Sequence, residues 1–147
     1  MKTFLLLVLV AASASAADDP TALVKYRQSD MKSMGAHMKA MSLVVKKQVS
    51  PRTQLAAHAE AIRGLSEGLG AFFPAGSDPS HVTTAAKPEI WSRFNEFTAA
   101  AQKLQRESAK LAELAKRGNA SAFNAQYEIV SAACNECHKR FRTSDTD

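Results

Sequence analysis

Cys134-Asn135-Glu136-Cys137-His138 is the stretch on which the reading of this chain turns. A C-x-x-C-H run is the attachment signature of c-type haem, and helix geometry explains its spacing. Residues at i, i+3 and i+4 share one helix face. Cys134 and Cys137 then reach the two vinyl groups of one haem edge as thioethers. His138 turns an imidazole nitrogen to the iron as proximal ligand. A thioredoxin-like pair needs a preceding strand in a βαβ setting, and nothing here reads as a strand. A structural zinc site takes four ligands, and the chain has two cysteines. A disulfide across these positions would strain the helix and would not need His138. The expected cofactor is one covalently attached haem c.

Working outward, the N-terminus reads as an export signal. Lys2 is a short basic region, Phe4 to Ala12 an apolar run, and Ala14-Ser15-Ala16 a small-residue cleavage site. The run is too short to span a bilayer. Residues 1–16 are thus expected to be removed, leaving one domain over 17–147. Export fits haem attachment, which is completed outside the cytoplasm, so the expected location is the periplasm. The net charge of +5 is spread rather than blocked. A surface of this kind can steer an acidic partner. No basic run is interleaved with aromatics, which argues against nucleic acid.

The remaining sequence predicts four helices. Asp18-Asp19 followed by Pro20 starts the first, which runs to about Gln48. Ser50-Pro51 starts the second, to about Leu69. A Gly- and Pro-rich loop follows through Phe72-Phe73-Pro74, Asp78-Pro79 and His81. The third starts near Lys87-Pro88 and ends about Arg117, with Gly118 as C-terminal cap. Asn119 or Ser121 caps the fourth, which carries Phe123, Tyr127, Val130, Cys134, Cys137 and Phe141 on one side. The expected fold is all-α, an antiparallel up-down-up-down four-helix bundle. That topology brings the haem-bearing end of the last helix level with the N-terminal half of the first.

The first helix has a methionine seam. Val24, Arg27, Met31, Met34, Met38, Met41 and Val45 recur at alternating steps of three and four. Methionine at this spacing is usually core filling. A thioether opposite histidine is also an axial haem ligand. Met31 lies nearest the level of His138, while Met38 and Met41 lie about 10–15 Å further along at about 1.5 Å per residue. Met31 is therefore the candidate distal iron ligand. An arginine on a core seam needs a partner. Arg27 either pairs with a haem propionate or snorkels to the helix end.

Taken together, these residues resemble the class II c-type cytochromes, the cytochrome c′ group. The resemblance rests on Cys134-x-x-Cys137-His138-x-x-Phe141-Arg142, Tyr26-Arg27-Gln28-Ser29, Met34-Gly35-Ala36-His37 and Pro88-Glu89-Ile90-Trp91, and covers essentially the whole mature chain. It implies that Arg27 approaches a haem propionate and that Trp91 packs near the haem. It also implies two branches. Methionine at position 31 looks like the low-spin, six-coordinate branch, whereas high-spin members carry an apolar residue there and bind nitric oxide or carbon monoxide. Tyr26-Arg27-Gln28-Ser29 is closer to the high-spin members.

The leading expectation is a periplasmic one-electron carrier with His138 and Met31 on the iron, serving a redox partner protein. The alternative is a five-coordinate cytochrome c′ that binds diatomic gases at the distal face. Nothing resembles a distal acid–base pair, so the chain reads as a non-enzyme. Monomer and homodimer remain open.

Overall fold

The computed structural model describes residues 18–144, so the signal segment read over 1–16 lies outside the described residues. The fold is all-helical. Its elements are α1 (Pro20–Val45), α2 (Leu55–Ser66), a 3-10 turn (Leu69–Phe72), a single-turn α3 (Glu89–Ser92), α4 (Phe94–Lys116) and α5 (Ala120–Phe141). The four long helices form the bundle, with α2 packed on α1 and α4, and α4 packed on α5.

The caps follow the sequence closely. The Asp19 carboxylate accepts from the Thr21 and Ala22 amides at 3.3 and 3.1 Å, with Pro20 at the first helical position. Asn119 Oδ1 accepts from the Ala122 amide at 3.0 Å, so Asn119 rather than Ser121 starts α5. Gly118 takes φ 69°, a left-handed turn open to glycine without a Cβ penalty.

Two boundaries differ from expectation. α2 begins at Leu55 rather than Pro51, because the Leu55 amide first closes a turn onto the Arg52 carbonyl at 3.2 Å. The expected third helix is interrupted at Arg93, whose backbone leaves the helical region at φ −128°, ψ 43°. The break lets Trp91 reach the loop while Ile90 and Phe97 both face the bundle core.

The core lies in two clusters. One packs Met41, Ile62, Leu111, Phe123 and Val130 around the α1–α2 turn. The other packs Met34, Leu69, Phe73, Ile90, Phe97 and Phe141 at the opposite end. Cys134 abuts the first cluster and Cys137 the second, so the C-x-x-C step crosses the seam between them.

Two ties fix α5 antiparallel to α1. The Tyr127 hydroxyl donates to the Met38 carbonyl at 3.2 Å. At the other end, Ala86 and Arg142 form an isolated bridge, with the Lys87 amide donating to the Phe141 carbonyl at 2.9 Å. The segment that carries Ala86 also carries Thr84, which receives the Arg27 guanidinium. Arg27 is thereby level with the end of α5. No α-helix among the described residues is long and apolar enough to cross a membrane.

Candidate haem-binding site

A cavity of about 770 Å³ opens between α1 and α5, below the Tyr127 tie. Its size falls in the roughly 300–1,000 Å³ range of cofactor sites. A close-packed interior leaves no void of that size without an occupant. Met31, Met34 and Met38 line it from α1, Phe97 and Leu104 from α4, and Cys134, Cys137 and His138 from α5. The antiparallel register explains this meeting. Tyr127 stands beside Met38, so counting along both helices sets Cys134 near the level of Met31 and His138 near that of Arg27, about one turn below.

The α5 donors have the chemistry haem requires. Burial pushes the Cys134 thiol up, and pushes Cys137 up to about 11 with Cys134 adding to the rise. Thiols held neutral are poor zinc ligands and poor disulfide exchangers, since both roles use thiolate. Burial, then the nearby Arg142 charge, pushes His138 down. It therefore stays a neutral imidazole, the form that ligates iron. Two protonated thiols and a neutral imidazole on one wall of a large apolar cavity fit covalent haem.

Across the cavity on α1, Arg27 is buried at 3 % exposure, and desolvation pulls its pKa down. Its Nη1 donates to the Phe72 carbonyl at 3.2 Å and to Ser77 Oγ at 2.9 Å. Its Nη2 donates to the Ser77 carbonyl at 2.9 Å and to Thr84 Oγ1 at 3.0 Å. The guanidinium also stacks over the Phe73 ring, 4.4 Å from its centroid. Arg27 thus does not snorkel to the helix end. It pins the 72–84 loop across the open end of the bundle through neutral oxygens.

Trp91 stands behind the cavity rather than in its wall. Its indole Nε1 donates to the Pro74 carbonyl at 2.9 Å, and its ring lies 6.0 Å from Phe73. Phe73 in turn borders the cavity. The loop has no period by which Phe73, Ser77 and Thr84 could be found. Tyr127 was visible on the apolar side of α5, but its hydroxyl partner was not.

The profile described as Cytochrome C' matches residues 22–142. The chain belongs to the cytochrome c′ family. Cytochrome c′ of Rhodospirillum rubrum is 34% identical over 137 residues, covering 93% of this chain and 92% of that protein. Cytochrome c′ of Pararhodospirillum photometricum is 37% identical over 123 residues, covering 84% and 98%. Among solved structures, a nitric oxide complex of a leucine-to-alanine mutant of cytochrome c prime from Alcaligenes xylosoxidans superposes with TM-score 0.79 at 32% identity, covering 88% of this chain and 100% of that one. A carbon monoxide-bound variant of the same protein gives 0.77 at 33%, covering 86% and 98%. A cytochrome c′ described with ligand-controlled dimer dissociation gives 0.80 at 26%, covering 88% and 100%.

Membership makes haem c, covalently attached, the cofactor of this chain. It also corrects the leading functional expectation. The relatives reported above are cytochromes c′, and the nitric oxide and carbon monoxide complexes of the Alcaligenes protein speak against a six-coordinate electron carrier with Met31 and His138 on the iron. The low-spin branch is likewise unsupported. The fold explains what misled the reading. Met31 is half-buried and packs against the second core cluster, where a thioether serves as adaptable filling. The Tyr26-Arg27-Gln28-Ser29 segment, closer to the high-spin members, was the more informative signal.

Proposed function

We propose that the chain is an exported haem protein that binds nitric oxide or carbon monoxide at one face of an iron held on its other face by His138. Bound in this cavity, haem supplies an iron with a coordination position left for such a ligand. The observation that carries the reading is the methionine cluster on α1: Met31, Met34 and Met38 border the cavity with side chains that have no hydrogen-bond donor, while Arg27, Gln28, Lys32, Lys39 and Ser42 border it from the same helix. Thioethers over the binding face would admit a small neutral gas and give little hold to water or anions. Met31 acts as flexible bulk over this face. The gas complexes of the Alcaligenes relative support the same assignment.

The other residues divide the remaining work. Cys134 and Cys137 hold the haem edge as thioethers. Arg27 borders the cavity and brings positive charge to the end where a haem propionate would lie. Trp91 stiffens Phe73 from behind. No distal acid–base pair is proposed, so the role is binding rather than catalysis. His37 does not line the cavity and bonds to His58 instead. The export-type segment over 1–16 supports the periplasm as the location. A homodimer is the assembly we favour, on the dimer named for one relative.

Carbon monoxide and a substitution test this. The reduced wild type should bind the gas fully and reversibly, as read by the shift of its absorption maximum. Met31→Ala removes bulk from the binding face and should raise the association rate about tenfold or more, an effect of about 1.4 kcal/mol on the barrier. A wild type that resists carbon monoxide, with binding gained only in Met31→Ala, would refute the proposal.

A further inference from the structure

We propose that His37 and His58 form a second metal site, a paired-imidazole seat for a divalent transition ion, Cu(II) above all, on the α1–α2 face. The two side chains come from different helices, and their Nδ1 atoms lie 2.9 Å apart. Their rings are tilted by 51° with centroids 5.2 Å apart. Both are half-buried, reachable from solvent yet held by packing. Neither lines the haem cavity.

The spacing is compatible with a tetragonal ion. Two nitrogens 2.9 Å apart subtend about 90° at an ion about 2.05 Å from each. A right angle is the cis angle of tetragonal coordination, the geometry of Cu(II) and Ni(II). Tetrahedral zinc would need the nitrogens about 3.3 Å apart at that bond length. Imidazole affinity also peaks at Cu(II) among the divalent ions.

The protonation state suits ligation. Burial first, then repulsion from His37, pushes His58 down, which favours the neutral imidazole that ligates a metal. Without metal, one Nδ1–H donates to the other Nδ1. On metal binding that proton moves to the same ring's Nε2 through solvent, both Nδ1 lone pairs face the ion, and no net proton is lost. Among the described residues no cluster of three or more His, Cys, Asp or Glu side chains is placed to hold a metal. The neighbouring groove that His58 borders is aliphatic, with Leu43, Val49 and Leu55. The remaining positions on the ion therefore go to water or exchangeable small ligands.

The test is a Cu(II) titration of the haem-loaded protein at neutral pH, followed by electron paramagnetic resonance and by competition with a chelator. The variants are His37→Gln and His58→Gln, with circular dichroism to check their folding. Wild type should take one equivalent with hyperfine coupling to two imidazole nitrogens. Each variant should bind at least about 100-fold more weakly, a ligand costing no less than an outer-shell partner does. Cu(II) should raise the melting temperature of wild type and not of the variants. Equal affinity in all three proteins would place the copper elsewhere, at the chain terminus or at His81, and would overturn the proposal. So would a wild-type spectrum without paired nitrogens.

Discussion

Serine at both Cys134 and Cys137 should leave a chain that keeps much of its helix but loses its packed native state. The reason is the size of what the two thioethers hold in place. The cavity between α1 and α5 measures about 770 Å³ and much of its lining is apolar, so without haem that lining lies open to water at a cost set by its apolar area. The whole stability of a domain is about 5–15 kcal/mol. Haem is thus a structural part of the core, and the helices cannot stay apart without it. Collapse of α1 onto α5 would have to repack both core clusters, against which Cys134 and Cys137 lie. The expected signature is a retained far-ultraviolet helical signal, a lost near-ultraviolet signal and binding of a hydrophobic dye. A double variant that melts cooperatively within about 5 °C of the haem-loaded wild type would contradict this.

Arg27→Leu should be the most damaging single change away from the haem ligands. Four hydrogen bonds of 2.9 to 3.2 Å run from its guanidinium to the 72–84 loop. Ser77, fully buried, receives two of them, and its own hydroxyl donates to the Pro74 carbonyl. Leucine would strand these oxygens away from water, each stranded acceptor costing about 1–3 kcal/mol. Part of the loss would be recovered as the loop moves to find solvent, so the net is roughly 3–5 kcal/mol. The melting temperature should fall by about 10 °C or more, and amides over 72–84 should exchange faster. Arg27→Lys keeps the charge but not the fork and should fall between. A melting temperature within about 2 °C of wild type in Arg27→Leu would show that the loop is held by other contacts.

Cys134, Cys137 and Arg27 also show why some of the molecule was legible in its sequence and some was not. The haem motif is local: three side chains in little more than one helical turn carry the chemistry, so Cys134, Cys137 and His138 could be read without a fold. The bundle followed from helix periodicity, and from caps such as Asp19 and Asn119 that act within three residues. Arg27 was recognisable as a misplaced charge on a seam. Its partners were not, because Ser77 and Thr84 lie 50 and 57 residues away in a loop without period. The helix break at Arg93 was hidden for a related reason: Phe94 continues the pattern that Trp91 begins, and the loop contacts of Trp91 decide where the helix restarts. Met31 shows the reverse error. Its level on α1 was read correctly, but position alone does not separate a ligand from core filling. The His37–His58 pair depends on the register of α1 against α2, which neither helix encodes alone.

The absorption spectrum of the oxidised and reduced wild-type protein at neutral pH is the most direct measurement. An iron held by His138 alone, beneath the thioethers of α1, should be high-spin in both states and lack a sulfur-to-iron charge-transfer band when oxidised. A low-spin spectrum carrying that band would put Met31 on the iron and contradict the gas-binding account.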